Sequence, residues 1–368
     1  LYSFLMLSNF LKGPQMSKIR SVLFATVGFC VALLFLFFIH RPSWMFFDLA
    51  QRQFASSEQK TVALVTVDQK SLDRLAGEGV VFPLPRQLFG ALSEVAAHAQ
   101  AKALVFDLLF TEDSSYGPED DQMFADLLAK SKVPGFFPAA HTSGSVKDPV
   151  PVLKKAATGL GRVDFQNDSD GVFRRVPDLI EVSDANSATL PQKVFSYFNQ
   201  GPTSSYDWLY NYKEQAFPVI SLYEVLKIYR DLQDNKISSV DLSAFKNKIW
   251  VVGYSAPGLH DLKPTSVDNE APGFILQATA LANRFEKLDL KSASSGTIFI
   301  AMILLMGLVI ILINRSFEPM WGSFWLILIS VLVPLLLSFI CWKQLLWLDP
   351  IVLIAGIFTA GAIQLIWK

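Results

Sequence analysis

Four stretches of the chain carry no charged residue: Val22–Ile39, Gly296–Ile313, Met320–Ile340 and Ile351–Trp367, of 18, 18, 21 and 17 residues. A bilayer core of about 30 Å takes roughly 20 residues of helix, with about 17 as the working minimum. Each stretch therefore predicts a membrane helix, and three of them crowd into the last 73 residues. Trp44, Trp321, Trp325, Trp342, Trp347 and Trp367, six of the eight tryptophans, lie in or beside these runs. Indole rings favour the headgroup level, where an apolar body and one N–H donor are both satisfied. Val22–Ile39 is longer than the apolar core of a signal peptide, and its exit, His40-Arg41-Pro42, offers no small-x-small cleavage site. It reads as a retained signal anchor. Residues 1–21 precede it, opening on Leu1 but containing a natural-looking start at Met16-Ser-Lys-Ile-Arg20.

Between the first two runs, residues 41–295 alternate in a different way. Thr61–Val67 is a β-branched run that ends at Asp68, and a short helix starts at Ser71. Pro85–Gln100 has helical periodicity through Leu88, Leu92, Val95 and Ala96. Ala103–Phe106 is a second apolar strand, ending at Asp107; Asp120–Ser131 is helical and Val133–Ala139 a strand. Leu222–Leu232 is a helix, Ile249–Val252 a strand closed by Gly253, and Phe274–Arg284 a helix leading toward the second apolar run. Apolar runs of strand length alternating with helices predict an α/β domain with a parallel or mixed sheet flanked by helices. Strands buried on both faces read as continuous apolar runs, as these do.

Composition sharpens this picture. The chain is 51% hydrophobic and 18% charged over 368 residues, well under the quarter charged that soluble chains carry. Residues 41–295 hold 26 basic and 31 acidic residues, a net of −5, whereas the rest holds 6 and 2, a net of +4. The total of −1 argues against a nucleic-acid partner, which would normally meet a basic excess, and it hides two opposite parts. Cys30 and Cys341, both in apolar runs, supply neither a disulfide scaffold nor a zinc site. Lys12, Lys18 and Arg20 precede the first run while Arg41 and Arg52 follow it. Arg315 and Lys343 mark the two later loops, so the count is nearly balanced and decides little. The cluster before the first run gives modest support to a cytoplasmic N-terminus, which would place residues 41–295 outside and the end of the chain inside.

In parallel sheets ligands bind in the crevice beyond the carboxyl ends of the strands. Asp68 and Asp107 each follow a strand directly, and Asp261 lies in the loop after a third. If those strands are neighbours, three carboxylates converge on one rim, able to hold a hard cation or a polar ligand, with Arg86 as counter-charge. The same aspartates equally suit helix capping and turn formation. Asp168-Ser-Asp170-Gly171 invites a calcium loop, but the first and last ligand positions would fall on Gln166 and Pro177. Asp170-Gly171 is a hairpin signal instead, with Arg174 and Arg175 on opposite faces of the following strand, toward an anionic ligand or toward solvent. No third glycine follows Gly159-Leu-Gly161, and neither a phosphate loop nor an HExxH occurs, so no cofactor or metal is indicated. His40, His98, His141 and His260 are scattered, and no nucleophile with a partnered base can be assembled.

Taken in order, the motifs resemble the type-2 CHASE domain, a sensory module of bacterial cyclases and kinases. The resemblance covers Phe47 to Arg284. It rests on Phe47-Asp48 with Arg52, Val65-Thr-Val-Asp68 with Ser71, Phe82-Pro-Leu-Pro-Arg86 and Val105-Phe-Asp107-Leu-Leu-Phe110. It continues through Asp121 with Phe124-Ala125, Asp168-Ser-Asp170-Gly-Val-Phe-Arg174-Arg175, Phe245-Lys-Asn-Lys-Ile-Trp-Val-Val-Gly253, Gly258-Leu-His-Asp261 and Pro272-Gly273. Phe82 and Leu84 stand where the family commonly has tryptophans, and Phe274 to Gln277 depart from its usual Gly-Val-x-x-His-Ala run.

The resemblance implies one membrane helix before an extracytoplasmic sensor and three after it, in a bacterial inner membrane with both termini cytoplasmic. It implies a homodimer that passes a small-molecule or envelope signal to an adenylate or guanylate cyclase or a kinase. Lys368 follows the fourth run by one residue, which leaves such an output domain outside this chain, in cis or in trans. Asp68, Ser71, Arg86, Asp107, Asp261 and Arg175 are the candidate ligand-binding residues, and no catalytic residue is assigned. Two other classes stay open: a membrane-anchored, metal-assisted hydrolase at the aspartate rim, and a structural envelope protein that senses nothing.

Overall fold

The computed structural model describes residues 40–142, 145–175, 188–199, 208–259, 261–288, 290–315 and 319–366. The chain divides into two compact units, Gln51–Asp289 on one side and Leu1–Ala50 with Leu290–Lys368 on the other. A helix that the apolar pattern does not announce, α1 (His40–Phe54), leads into the first of these.

Among the described residues, six parallel strands form the body of the Gln51–Asp289 unit. They are β1 (Val62–Val67), β2 (Ala103–Phe106), β3 (Gly135–Thr142), β5 (Gly159–Arg162), β6 (Val219–Ser221) and β7 (Ile249–Tyr254). Their order across the sheet is β6-β1-β7-β2-β3-β5, and β4 (Ser145–Lys147) pairs antiparallel with the far end of β3. The expected sheet is thus present, mixed through that one antiparallel pair.

Alternation along each strand decides which helix covers which face. Ala63, Val65, Val67, Leu104, Phe106, Trp250 and Val252 pack on one face. There they meet α2 (Gln69–Gly77), α3 (Gln87–His98), α4 (Pro118–Ser131), α5 (Pro151–Ala156) and α7 (Leu222–Gln233). Val62, Leu64, Ala103, Val105, Ile249 and Val251 pack on the other, against α6 (Leu190–Phe198) and α8 (Gly273–Glu286). Burying such a side chain is worth about 1.5–3 kcal/mol. Both faces being covered is the physical reason that these strands carry no polar alternation. On the first face Phe89, Phe106, Phe110, Phe124 and Phe137 form one aromatic cluster, with Phe106 stacked on Phe137 at 4.9 Å.

The Asp170-Gly171 signal gives a tight turn, with Gly171 at φ +88° and its N–H donated to Asp168 O at 2.9 Å. It does not give the expected hairpin. Phe173 bridges to Thr265 and Arg175 to Trp208, so the segment pairs with distant loops rather than folding back on β5.

In the other unit, α9 (Ser295–Arg315) is long and apolar enough to cross a membrane. So is Met320–Lys343, formed by α10 (Pro319–Ile327), a π turn at Leu328–Leu332 and α11 (Val333–Lys343). Pro334 has no N–H to give to the preceding turn, and the π turn lies directly before it. α12 (Pro350–Ile366) is apolar but only 17 residues long. Two candidate spans among the described residues therefore stand against the four expected, and Val22–Ile39 lies outside the described residues. Within this unit β8 (Lys291–Ser292) pairs with β9 (Leu346–Trp347), and Phe47 is buried at 5.1 Å from the Trp347 ring and 5.8 Å from Trp342.

Candidate functional site

β1, β7 and β2 are neighbours, as a shared rim requires. Beyond their carboxyl ends opens a cleft of about 600 Å³, lined by residues that include Arg86, Asp107, Asp261 and Gln277. Three of the six sequence-predicted residues meet there: Arg86, Asp107 and Asp261. Asp68, Ser71 and Arg175 do not line it.

Asp68 and Ser71 are bound to each other. Asp68 Oδ1 accepts the Ser71 N–H at 2.8 Å and the Ser71 hydroxyl at 2.5 Å, which caps α2. Ser71 Oγ, fully buried, accepts in turn the Tyr223 N–H at 3.1 Å and so ties α2 to α7. The convergence of three carboxylates therefore fails at Asp68, whose side chain serves its own helix. Among the described residues no three His, Cys, Asp or Glu side chains stand close enough to hold a metal ion.

Arg175 belongs to a separate cluster. Its guanidinium lies 4.0 Å from the Trp208 ring, and its Nε is 3.2 Å from Asp168 Oδ1. Arg174, expected toward a ligand or solvent, is 1% exposed and buried among Asp168 (3.1 Å) and Asp170 (2.9 and 2.8 Å). Beside it, the Asp170 carboxyl is held below the usual range, chiefly by the Arg174 hydrogen bonds. A buried arginine flanked by two carboxylates ties a turn together and leaves no fork for a ligand.

In the cleft itself the two cations are already engaged. Arg86 donates to the buried Asp121 carboxylate and to the Glu112 carbonyl, and its guanidinium stands over the Phe110 ring at 5.4 Å. Its backbone and that of Gln87 give their N–H groups to Asp120 at 2.7 and 2.9 Å. α3 thus borrows its N-terminal cap from α4, since Arg86 brings no capping side chain. Lys263 Nζ is 2.5 Å from Asp261 Oδ2 and 4.9 Å from the Phe173 ring. Asp261 itself is largely exposed.

The acceptors of the cleft are less well served. Asp107 gives its backbone N–H to Val252 O at 2.8 Å, but its carboxyl makes no hydrogen bond among the described residues. Burial pushes that carboxyl up to about 7, with Lys263 pulling the other way and Asp261 adding to the rise. Gln277, 1% exposed, donates Nε2 to Val163 O at 3.0 Å and leaves Oε1 buried with no partner. The Tyr254 phenol, also raised by burial, makes no hydrogen bond among the described residues. Sequence reasoning missed Gln277 and Tyr254. A lone glutamine on an apolar helix and a tyrosine ending an apolar strand give no signal until the topology brings α8 beside β7.

The fold, the strand-end cleft and the following apolar helices agree with a comparison against protein families, in which the CHASE2 domain model matches residues 25–312. No curated protein and no solved structure matches the chain. CHASE2 domains are extracytoplasmic sensory domains rather than catalytic ones, and they occur in membrane proteins. The match takes in well over half of the sequence and the whole α/β unit, so the chain belongs to the CHASE2 family.

Proposed function

We propose that this chain is the sensing portion of a bacterial transmembrane signalling protein. It takes a small-molecule or envelope signal outside the inner membrane and passes it inward to a cyclase or kinase output domain. The observation that carries this reading is the path of α8. Its first turns bring Phe274 and Gln277 to the cleft, and its last residue, Glu286, is joined by residues 287–294 to α9, an apolar helix of membrane-spanning length.

A ligand shifts such a receptor only if it binds the two states with different affinity. Occupation of the cleft favours one position of α8 over another, and the short connection hands the difference to α9. On this reading the four apolar runs all span the bilayer, both termini are cytoplasmic and the receptor works as a homodimer. The open reading frame that follows the Lys368 codon tests the output arm. A cyclase or kinase frame there supports the reading, and a stop codon with no neighbouring output gene counts against it.

The sensing arm is tested in membranes with a cysteine placed at Leu304, an exposed position on α9. Disulfide crosslinking between copies is compared with and without a low-molecular-mass extract of the cell envelope. A changed crosslinking yield is expected. Yields that no fraction alters would sink the proposal.

A further inference from the structure

The cleft has a surplus of acceptors and no free cation among its described lining residues. Arg86 is taken up by Asp121 and the Glu112 carbonyl, and Lys263 by Asp261. Gln277 Oε1 is buried without a hydrogen-bond partner, and the half-buried Asp107 carboxyl and Tyr254 hydroxyl make no hydrogen bond among the described residues. Gln277 Oε1 is fixed in its role, because Nε2 is the atom that donates to Val163 O. A buried acceptor with no donor has lost its water without compensation, a cost that a ligand bearing donors removes.

The charge points the same way. An anionic ligand would meet the Asp107 and Asp164 carboxylates without an available counter-ion, since Arg162, 3.5 Å from Asp164, is already its neighbour. A cation would offset them, and the rings of Phe82, Tyr254 and Phe274 offer it aromatic surface. A space of about 600 Å³ suits a small organic molecule rather than a bare ion.

We infer that this cleft is the receptor's ligand site and that its ligand is a small organic ammonium ion. The N–H donors of that ion bond Asp107, Gln277 Oε1 and Tyr254, and its apolar part lies on the Phe82 and Phe274 side. The inference rests on the sensory reading above and names the class of molecule sensed. Asp107 supplies the charge, and Gln277 selects for a donor over a permethylated cation, which brings no N–H.

The test is calorimetric titration of the full chain in detergent at pH 7.5 with four probes of one shape. They are benzylammonium, benzyltrimethylammonium, benzyl alcohol and benzoate. Benzylammonium should saturate, and bind at least tenfold more tightly than the other three. Asp107→Asn should weaken it tenfold or more, and Gln277→Met several-fold. Absence of saturation, equal binding of benzoate or benzyl alcohol, or unchanged binding in Asp107→Asn would each overturn the inference. The probe comparison on the unaltered chain holds even if a variant fails to fold. If the amine fails while an envelope extract still changes the α9 crosslinks, the ammonium class falls and the sensor stands. Saturable amine binding that leaves those crosslinks unchanged, together with extracts that also leave them unchanged, removes the sensor and keeps the site.

Discussion

A β-carbon added to Gly253 would stand 2.4 Å from Cγ of Phe274 and 2.5 Å from its Cβ. The last turn of β7 and the first turn of α8 are therefore in contact through a position that only glycine fills. Rotating the side chain moves Cγ but not Cβ, which at 2.5 Å is still too close, so relief requires α8 itself to shift. Overpacking of this kind costs about 1–3 kcal/mol. Gly253→Ala should lower the thermal midpoint of the full chain in detergent. An unchanged midpoint would show that α8 is free to give way at this end.

Asp120 and Asp121 form one node between α3 and α4. Asp121, 2% exposed, takes the Arg86 guanidinium and the Ser114 N–H, while Asp120 takes the first two N–H groups of the α3 turn and the Ser114 hydroxyl. Removing one partner of a buried ion pair strands the other, at about 3–5 kcal/mol, whereas loss of a cap costs about 1 kcal/mol. Denaturant unfolding should therefore rank Asp121→Ala as more damaging than Asp120→Asn. The reverse order would mean that the cap, not the ion pair, holds Arg86 at the cleft.

Arg174 and Arg175 are adjacent and unequal. Arg174 is buried with bonds to Asp168 and Asp170 through both Nη atoms, while Arg175 is partly exposed and stacked on Trp208. Lysine keeps the charge but lacks the planar fork. Arg174→Lys should cost about 1–3 kcal/mol, and Arg175→Lys less than about 1 kcal/mol, by the same unfolding measurement. Equal costs would show that the fork geometry contributes little to the turn.

Much of the α/β unit could be read from apolar pattern alone, because strands covered on both faces leave long unbroken runs. Ala103–Phe106 is found as expected, and β1, β7 and α8 lie within a few residues of their predicted ends. The short edge elements left no such trace. β5 is Gly-Leu-Gly-Arg, chosen for room: a β-carbon at Gly161 would meet the Leu190 backbone at 2.5 Å. α6 did carry a signal, the Thr189/Gln192 capping box, but its helix is only nine residues long. At the site, strand-end aspartates pointed to the rim where the cleft opens but not to their own places in it. Asp68 and Asp107 follow their strands identically in sequence, and only the next residues separate them. Ser71 stands three places on to receive a cap from Asp68, while Asp107 is followed by Leu108, Leu109 and Phe110, which give its carboxyl nothing to bond.

That isolation gives Asp107 a distinct pH signature. Its carboxyl is held at about 7 in the fold, against an ordinary value of 3.8. Between those two values the folded chain keeps a proton that the unfolded chain has released, so stability falls as pH rises through this window. The contribution is complete below about pH 4, is lost progressively toward pH 7, and is flat above. Its full size is at most about 4 kcal/mol, reduced by the water that reaches the cleft. Asparagine at this position neither gains nor loses a proton. The stability of Asp107→Asn minus that of the unaltered chain should therefore grow from pH 4 to pH 7 and level off by pH 8, with the variant the more stable. Titrating groups that do not interact with Asp107 cancel in that difference, provided both chains keep the same fold, which leaves Asp107 with its neighbours Lys263 and Asp261. Denaturant unfolding in detergent at half-unit pH steps reads it directly, and a difference that does not vary with pH would show that Asp107 ionises as freely in the cleft as in the unfolded chain.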